Sequence, residues 1–97
     1  MNQFRQGDLL FTRIDVIPVG KKILDGVIVR GEATGHAHRL IGGSVIKDKN
    51  GNLYLDIKTK GEIIHEEHKP IQLSKGKWAV IRQREYTNAD AVRIVRD

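Results

Sequence analysis

No stretch of ten residues in this chain shows the hydrophobic period of an amphipathic helix. Instead, short runs rich in β-branched and aromatic residues alternate with turn signals. The strand-like runs are 7–14, 27–30, 36–41, 44–47, 53–57, 62–65, 71–73, 78–86 and 92–95. This pattern predicts an all-β fold, a small single-domain antiparallel barrel or sandwich.

Glycine marks the predicted turns between these runs. Asn50-Gly51 lies between two β-rich runs and is typical of a β-hairpin. Further turns are predicted at 42–43, 58–61 and 74–77, each of which contains glycine. In the run 78–86, which follows the last of these turns, we expect Trp78 to lie in the core.

Length and composition predict one soluble domain spanning residues 1–97. A chain of 97 residues forms only a small core, so we expect a homo-oligomer. The chain has no cysteine, which excludes disulfides and thiolate metal sites. The first six residues lack the apolar core of a signal peptide, and no apolar run approaches the ~20 residues that span a bilayer. We therefore expect a cytoplasmic protein with no membrane segment.

All four histidines of the chain occur as two close pairs, His36/His38 and His65/His68. On a strand, two residues two positions apart leave the same face, with their β-carbons about 7 Å apart. His65 and His68 are three apart, so they share a site only if a bulge or turn separates them. Three or four neutral imidazoles suit zinc, copper, nickel or iron. We predict a transition-metal site built from His36, His38 and one or both of His65 and His68; the alternative is ordinary polar residues that lie on the surface or bond to the backbone.

Three glutamates lie near the histidine pairs: Glu32, Glu66 and Glu67. A carboxylate in this position can ligate the ion, orient an imidazole, or act as general base on a metal-bound water. Among them, Glu67 is our candidate catalytic residue, although a solvated surface carboxylate is the simpler interpretation for any one of them. An open coordination position predicts metal-assisted hydrolase or lyase chemistry, and a closed tetrahedron predicts a structural ion.

A basic stretch near the end of the chain suggests a different class of function. Arg82, Arg84 and Tyr86 share one face of the predicted strand and are suited to bind phosphate or carboxylate. With one histidine as base and another as acid, Arg82 and Tyr86 would form part of a metal-free phosphodiesterase or ribonuclease site, in which arginine stabilises the charge of the phosphorane. The net charge of +5 also permits weak nonspecific contact with nucleic acid. The simpler interpretation pairs the arginines with neighbouring acids.

The segment Gly35-His36-Ala37-His38 resembles the opening of the cupin metal motif, which implies a metal-binding β-barrel. The chain departs from that motif because no glutamate follows the pair, and Pro70 comes after the last histidine rather than before it. More broadly, the segments 32–39, 65–68 and 80–86 resemble the pattern of small uncharacterised bacterial and phage proteins. That resemblance spans most of the chain and implies no particular activity.

Overall fold

The computed structural model describes residues 2–30 and 36–82. Within them the chain forms seven strands and no helix, which confirms the all-β prediction. The strands are β1 (Gln3–Gln6), β2 (Leu9–Ile14), β3 (Gly20–Ile23), β4 (Val27–Arg30), β5 (Ala37–Asp48), β6 (Leu53–Ile64) and β7 (Ile71–Arg82). The predicted strand at 92–95 and the end of the 78–86 run lie outside these residues.

All seven strands belong to one antiparallel sheet, in which the main path runs β1-β2-β7-β6-β5-β3. The remaining strand, β4, pairs with β5 near its start, whereas β3 pairs with β5 near its end. The sheet is not closed into a barrel. The hairpin predicted at Asn50-Gly51 joins β5 to β6, with Gly51 at a φ of 88°.

Three predicted turns, 42–43, 58–61 and 74–77, are wrong, because they lie inside the long strands β5, β6 and β7. The backbone at these places bulges instead of reversing: the register shifts between Ile41 and Gly43, and again between Ile57 and Lys60. At Gly42 the φ angle is 92°, and a β-carbon there would lie 2.6 Å from the Lys60 carbonyl oxygen. Glycine therefore permits a bulge within a strand here, rather than a turn.

The core draws on both halves of these long strands. Its buried residues are Leu9, Phe11, Ile28, Leu40, Val45, Leu55, Ile57, Ile63, Leu73 and Trp78. Leu40 and Val45 lie on opposite sides of the β5 bulge, yet both join this cluster, so the bulges let the sheet bend around a shared core. Trp78 is fully buried, as predicted, and its indole N–H donates to the Ser74 carbonyl oxygen at 3.1 Å.

The β1–β2 hairpin fixes one end of the sheet. The sequence run 7–14 predicted a continuous strand, but Gly7 and Asp8 instead form the two-residue loop of this hairpin. Gly7 has a φ of 61°, as the first residue of a type II′ turn requires. Just before the turn, Gln6 Nε2 donates to the carbonyl oxygens of Ile63 at 3.0 Å and Lys69 at 2.8 Å. These bonds hold the hairpin loop against the end of β6.

Candidate metal centre

The structure brings the four histidine side chains together at this end of the sheet. His36 directly precedes β5, His38 lies within it, and His65 and His68 follow β6. The His65 ring centre lies 4.4 Å from that of His38, 4.6 Å from that of His68 and 5.7 Å from that of His36. The two pairs, almost thirty residues apart in sequence, thus form one cluster with His65 at its centre.

His38 is the most buried member of the cluster, with 6% of its surface exposed. Its Nδ1 lies 2.8 Å from Gln6 Oε1. Because both N–H groups of the Gln6 amide already donate to main-chain carbonyls, its Oε1 faces the ring and can only accept. The hydrogen must therefore come from His38 Nδ1, which leaves Nε2 of the neutral ring with a lone pair.

The other ring nitrogen of His38 faces an acid from the hairpin loop. His38 Nε2 lies 3.8 Å from Asp8 Oδ1, and Arg82 Nε donates to Asp8 Oδ2 at 3.1 Å. Burial is the largest influence on His38 and, together with His65, lowers its pKa to about 4, against the opposing effect of Asp8. The ring is therefore neutral at pH 7, as a metal ligand must be.

Two glutamates approach the cluster from the segment after β6. The Ala37 backbone N–H donates to Glu66 Oε1 at 2.9 Å, and this bond is the main reason that the pKa of Glu66 is lowered. Glu67 Oε2 lies 3.4 Å from His36 Nδ1. The backbone N–H of Glu67 donates to His65 Nδ1 at 3.0 Å. Both carboxylates are thus positioned beside imidazoles.

The donor atoms of His36, His65 and Glu66 all lie within 4.8 Å of one another. His38 and His68, by contrast, meet as nearly parallel rings, with centres 5.9 Å apart and planes at 12°. A metal ion is held by lone pairs in the ring plane, so distances between donor atoms matter more than ring contacts. The group with converging donors therefore contains two of the four predicted ligands together with Glu66.

A family model described as a domain of unknown function, DUF8820, matches residues 5–83. The chain belongs to the DUF8820 family. No curated protein matches the chain, and no solved structure does either. The matched part of this DUF8820 domain includes all four histidines and Arg82. In the portion that the structure describes, no helix is long and apolar enough to cross a membrane.

The other residues predicted for the site fall into two groups. Glu67 lies beside His36, and Arg82 reaches the cluster through Asp8 rather than through a free basic face. Tyr86 and Glu32 lie outside the described residues, so their predicted roles stay predictions.

Sequence reasoning missed three residues at the candidate site of this DUF8820 domain, Gln6, Gly7 and Asp8. Gly7 allows close approach, because a β-carbon there would lie 2.7 Å from His68 Nε2. One signal was available, since Gly-Asp as a two-residue loop is a type II′ hairpin pattern. It would have placed Asp8 at the tip of a hairpin, but not beside His38.

Proposed function

We propose that this DUF8820 domain binds a divalent transition-metal ion through His36, His65 and Glu66. The observation that carries the proposal is the approach of their three donor atoms to within 4.8 Å of one another. Ligand atoms about 2 Å from a tetrahedral ion are about 3.3 Å apart, so the donor atoms need to approach one another by up to about 1.5 Å. Two imidazoles and a carboxylate are a ligand set used for zinc and for ferrous iron.

The surroundings of these ligands support the proposal. Glu66 carries a lowered pKa, so it offers a carboxylate at neutral pH. Glu67 Oε2, 3.4 Å from His36 Nδ1, takes the place of the carboxylate that often orients a metal-bound imidazole. In this arrangement Glu67 positions a ligand, which is a more limited role than the general base predicted from sequence.

One hydrogen bond opposes metal binding at His65. Its Nδ1 accepts the Glu67 backbone N–H, which leaves the proton of the neutral ring on Nε2. An ion bound at Nδ1 has to displace this bond, at a cost of about 1 kcal/mol. That cost is small beside the free energy of a multidentate transition-metal site, which is on the order of 10 kcal/mol for structural zinc.

Three protein ligands leave room for a water or substrate on a tetrahedral ion, as in hydrolytic zinc sites. A cavity of about 180 Å³ borders His65 and Glu66 and is also lined by Arg39. Arg39 offsets the negative charge of Glu66 at this cavity, so a divalent ion bound there would make the cavity positive and favour a small anionic substrate. We therefore propose metal-assisted hydrolysis as the reaction class.

The test is a titration of chelator-treated, tag-free protein with Co²⁺, followed by visible absorption. We expect saturable binding that Glu66→Gln weakens by at least about tenfold, because the substitution removes an anionic ligand. Glu62→Gln, which changes a carboxylate within β6, is the matched control and should bind as the parent does. Equal binding by the parent and Glu66→Gln proteins would contradict the proposed ligand set.

The nucleic-acid alternative has less support from the structure. Of its three basic-face residues, Arg82 alone lies within residues 2–30 and 36–82, and there it pairs with Asp8. This pairing neutralises part of the charge that the alternative requires. Both nucleic-acid contact and the homo-oligomer stay predictions.

A further inference from the structure

The pair His38 and Asp8 has the features of a second metal position, separate from His36, His65 and Glu66. Each member uses one atom to bind a neighbour that orients it. His38 Nδ1 donates to Gln6 Oε1 at 2.8 Å, and Asp8 Oδ2 accepts from Arg82 Nε at 3.1 Å. Metal ligands are commonly held in this way, with imidazole N–H groups and carboxylate oxygens bonded to an outer group.

The two remaining atoms face each other without a hydrogen between them. His38 Nε2 and Asp8 Oδ1 are 3.8 Å apart, which is too long for a hydrogen bond. In the neutral ring Nε2 carries a lone pair, and an ionised carboxylate oxygen also only accepts. The His38 side chain is buried, whereas that of Asp8 is 40% exposed, so the two acceptors meet at the edge of the buried region and an ion can reach them from solvent. A cation between them would satisfy both.

We propose that His38 Nε2 and Asp8 Oδ1 bind a second divalent transition-metal ion next to the first. The two ligand atoms are 3.8 Å apart, so they need to approach each other by only about 0.5 Å to reach the ~3.3 Å that separates ligands of a tetrahedral ion. The position uses none of the three ligands of the first, so it does not depend on the proposed function. The centre of the His38 ring lies 4.4 Å from that of His65, a ligand of the first ion, so the two metal positions lie side by side.

His68 also borders this second position, where its ring stacks parallel to that of His38, so it must rotate to bring a nitrogen to the same ion. Its Nε2 lies close to Gly7, where an added β-carbon would be 2.7 Å from Nε2 and 3.4 Å from His38 Cε1. The absence of a side chain at Gly7 therefore leaves space between the two rings. The positive charge of Arg82 opposes a second cation, but its bond to Asp8 Oδ2 also holds the carboxylate with Oδ1 toward His38.

The experiment measures how many Zn²⁺ ions each chain binds, by equilibrium dialysis and elemental analysis of tag-free protein after chelator treatment. The variants are Asp8→Asn for the second position and Glu66→Gln for the first. Asp56→Asn is the matched control, because Asp56 pairs with Lys58 away from the cluster. We expect the parent and the control to bind two ions, and each site variant to bind one.

The alternative outcomes separate the two proposals. If the parent binds one ion, and Glu66→Gln loses it while Asp8→Asn keeps it, the second position is overturned and the first is supported. If the parent binds one ion, and Asp8→Asn loses it while Glu66→Gln keeps it, the second position is supported and the first is overturned. No bound ion in the parent overturns both.

A measurement on the unaltered chain covers the case in which Asp8→Asn does not fold. Long-range proton–nitrogen NMR spectra of the histidines report which ring nitrogen carries hydrogen and which binds metal. We expect His38 to carry its hydrogen on Nδ1 before zinc is added, and its Nε2 resonance to shift when the ion binds. A His38 Nε2 resonance that stays unchanged at saturating zinc overturns the second position.

Discussion

His38 Nδ1 donates a hydrogen bond to Gln6 Oε1 across 2.8 Å, joining two buried side chains that are 32 positions apart in sequence. The same Gln6 amide donates to the carbonyl oxygens of Ile63 and Lys69. One side chain thus links β1, the start of β5 and the segment after β6. The cluster depends on this amide for its geometry, whether or not an ion is bound.

Replacing Gln6 by leucine should lower the free energy of unfolding by about 2–3 kcal/mol, because it leaves buried polar groups without partners. Urea unfolding of metal-free protein measures this. The matched control is Gln3→Leu, since Gln3 makes one exposed hydrogen bond, to Thr12 Oγ1 at 3.3 Å. The control should change stability by less than about 0.5 kcal/mol. Similar costs for the two substitutions would show that the buried network contributes little.

Alanine at Gly7 should destabilise the protein more than alanine at Gly51. Both glycines have positive φ, 61° and 88°, so both substitutions pay a similar backbone cost of about 1 kcal/mol. Nothing lies within 4 Å of a β-carbon at Gly51, whereas one at Gly7 would be 2.7 Å from His68 Nε2. We expect this crowding to add about 1–3 kcal/mol, measurable by urea unfolding. Equal losses would mean that His68 does not pack against the hairpin loop.

Local sequence signals predicted the all-β class, the Asn50-Gly51 hairpin and the burial of Trp78. They failed at Gly42 and Gly76, where the local sequence indicates a turn but glycine lies inside a long strand. A turn and a bulge both use the permissive backbone of glycine, so the local sequence does not separate them. Pairing with a neighbouring strand decides between them, and that depends on distant residues.

The same limit applies to the candidate site. Its histidines were recognisable because they form two close pairs flanked by acids, and the structure does bring them together. Gln6 and Asp8 were not recognisable, because they meet His38 only after the sheet has bent around its core. Glu66 was only one of three nearby acids until its contact with the Ala37 backbone distinguished it.

The unfolding free energy of metal-free protein should decrease as the pH falls from about 6.5 to about 4. The pKa of His38 is lowered from 6.5 to about 4 in the folded state, so the unfolded chain binds the proton first. The stability that neutral His38 contributes is therefore fully present above the pKa of histidine in the unfolded chain. It is lost as the pH falls through the pKa of His38 in the folded protein. The loss attributable to His38 is at most about 3 kcal/mol.

Urea unfolding at a series of pH values measures this dependence, with His38→Gln as the comparison. Glutamine does not titrate, so the variant should show a weaker dependence on pH over the same interval. The groups around His38 include His65, Asp8, His68 and Arg82, which the variant retains. Parallel curves for the parent and variant would contradict the assignment of this effect to His38.

Binding to nucleic acid should be weak, nonspecific and steeply dependent on salt. The chain carries a net charge of +5 and few aromatic residues, which make up 5% of it. Contacts with phosphate release counterions, so the affinity should fall by at least about tenfold between 50 and 200 mM salt. Fluorescence anisotropy of labelled single-stranded nucleic acids of differing sequence measures this affinity. Tight, sequence-selective binding that persists at high salt would favour the nucleic-acid alternative.

Metal binding at the histidine cluster is tested most directly by thermal melting of tag-free, chelator-treated protein with and without Zn²⁺. An ion that binds the folded site better than the unfolded chain raises Tm, by about 10–20 °C at a hundredfold excess over Kd. We expect this rise near pH 7.5 and its loss near pH 5, where protons compete for the imidazoles. Replacing His36 by alanine should reduce the rise, because it removes a ligand of the first ion while the second position at His38 and Asp8 is kept. No shift in the parent protein near pH 7.5 would contradict metal binding at this cluster, and the same shift in His36→Ala would contradict the site formed by His36, His65 and Glu66.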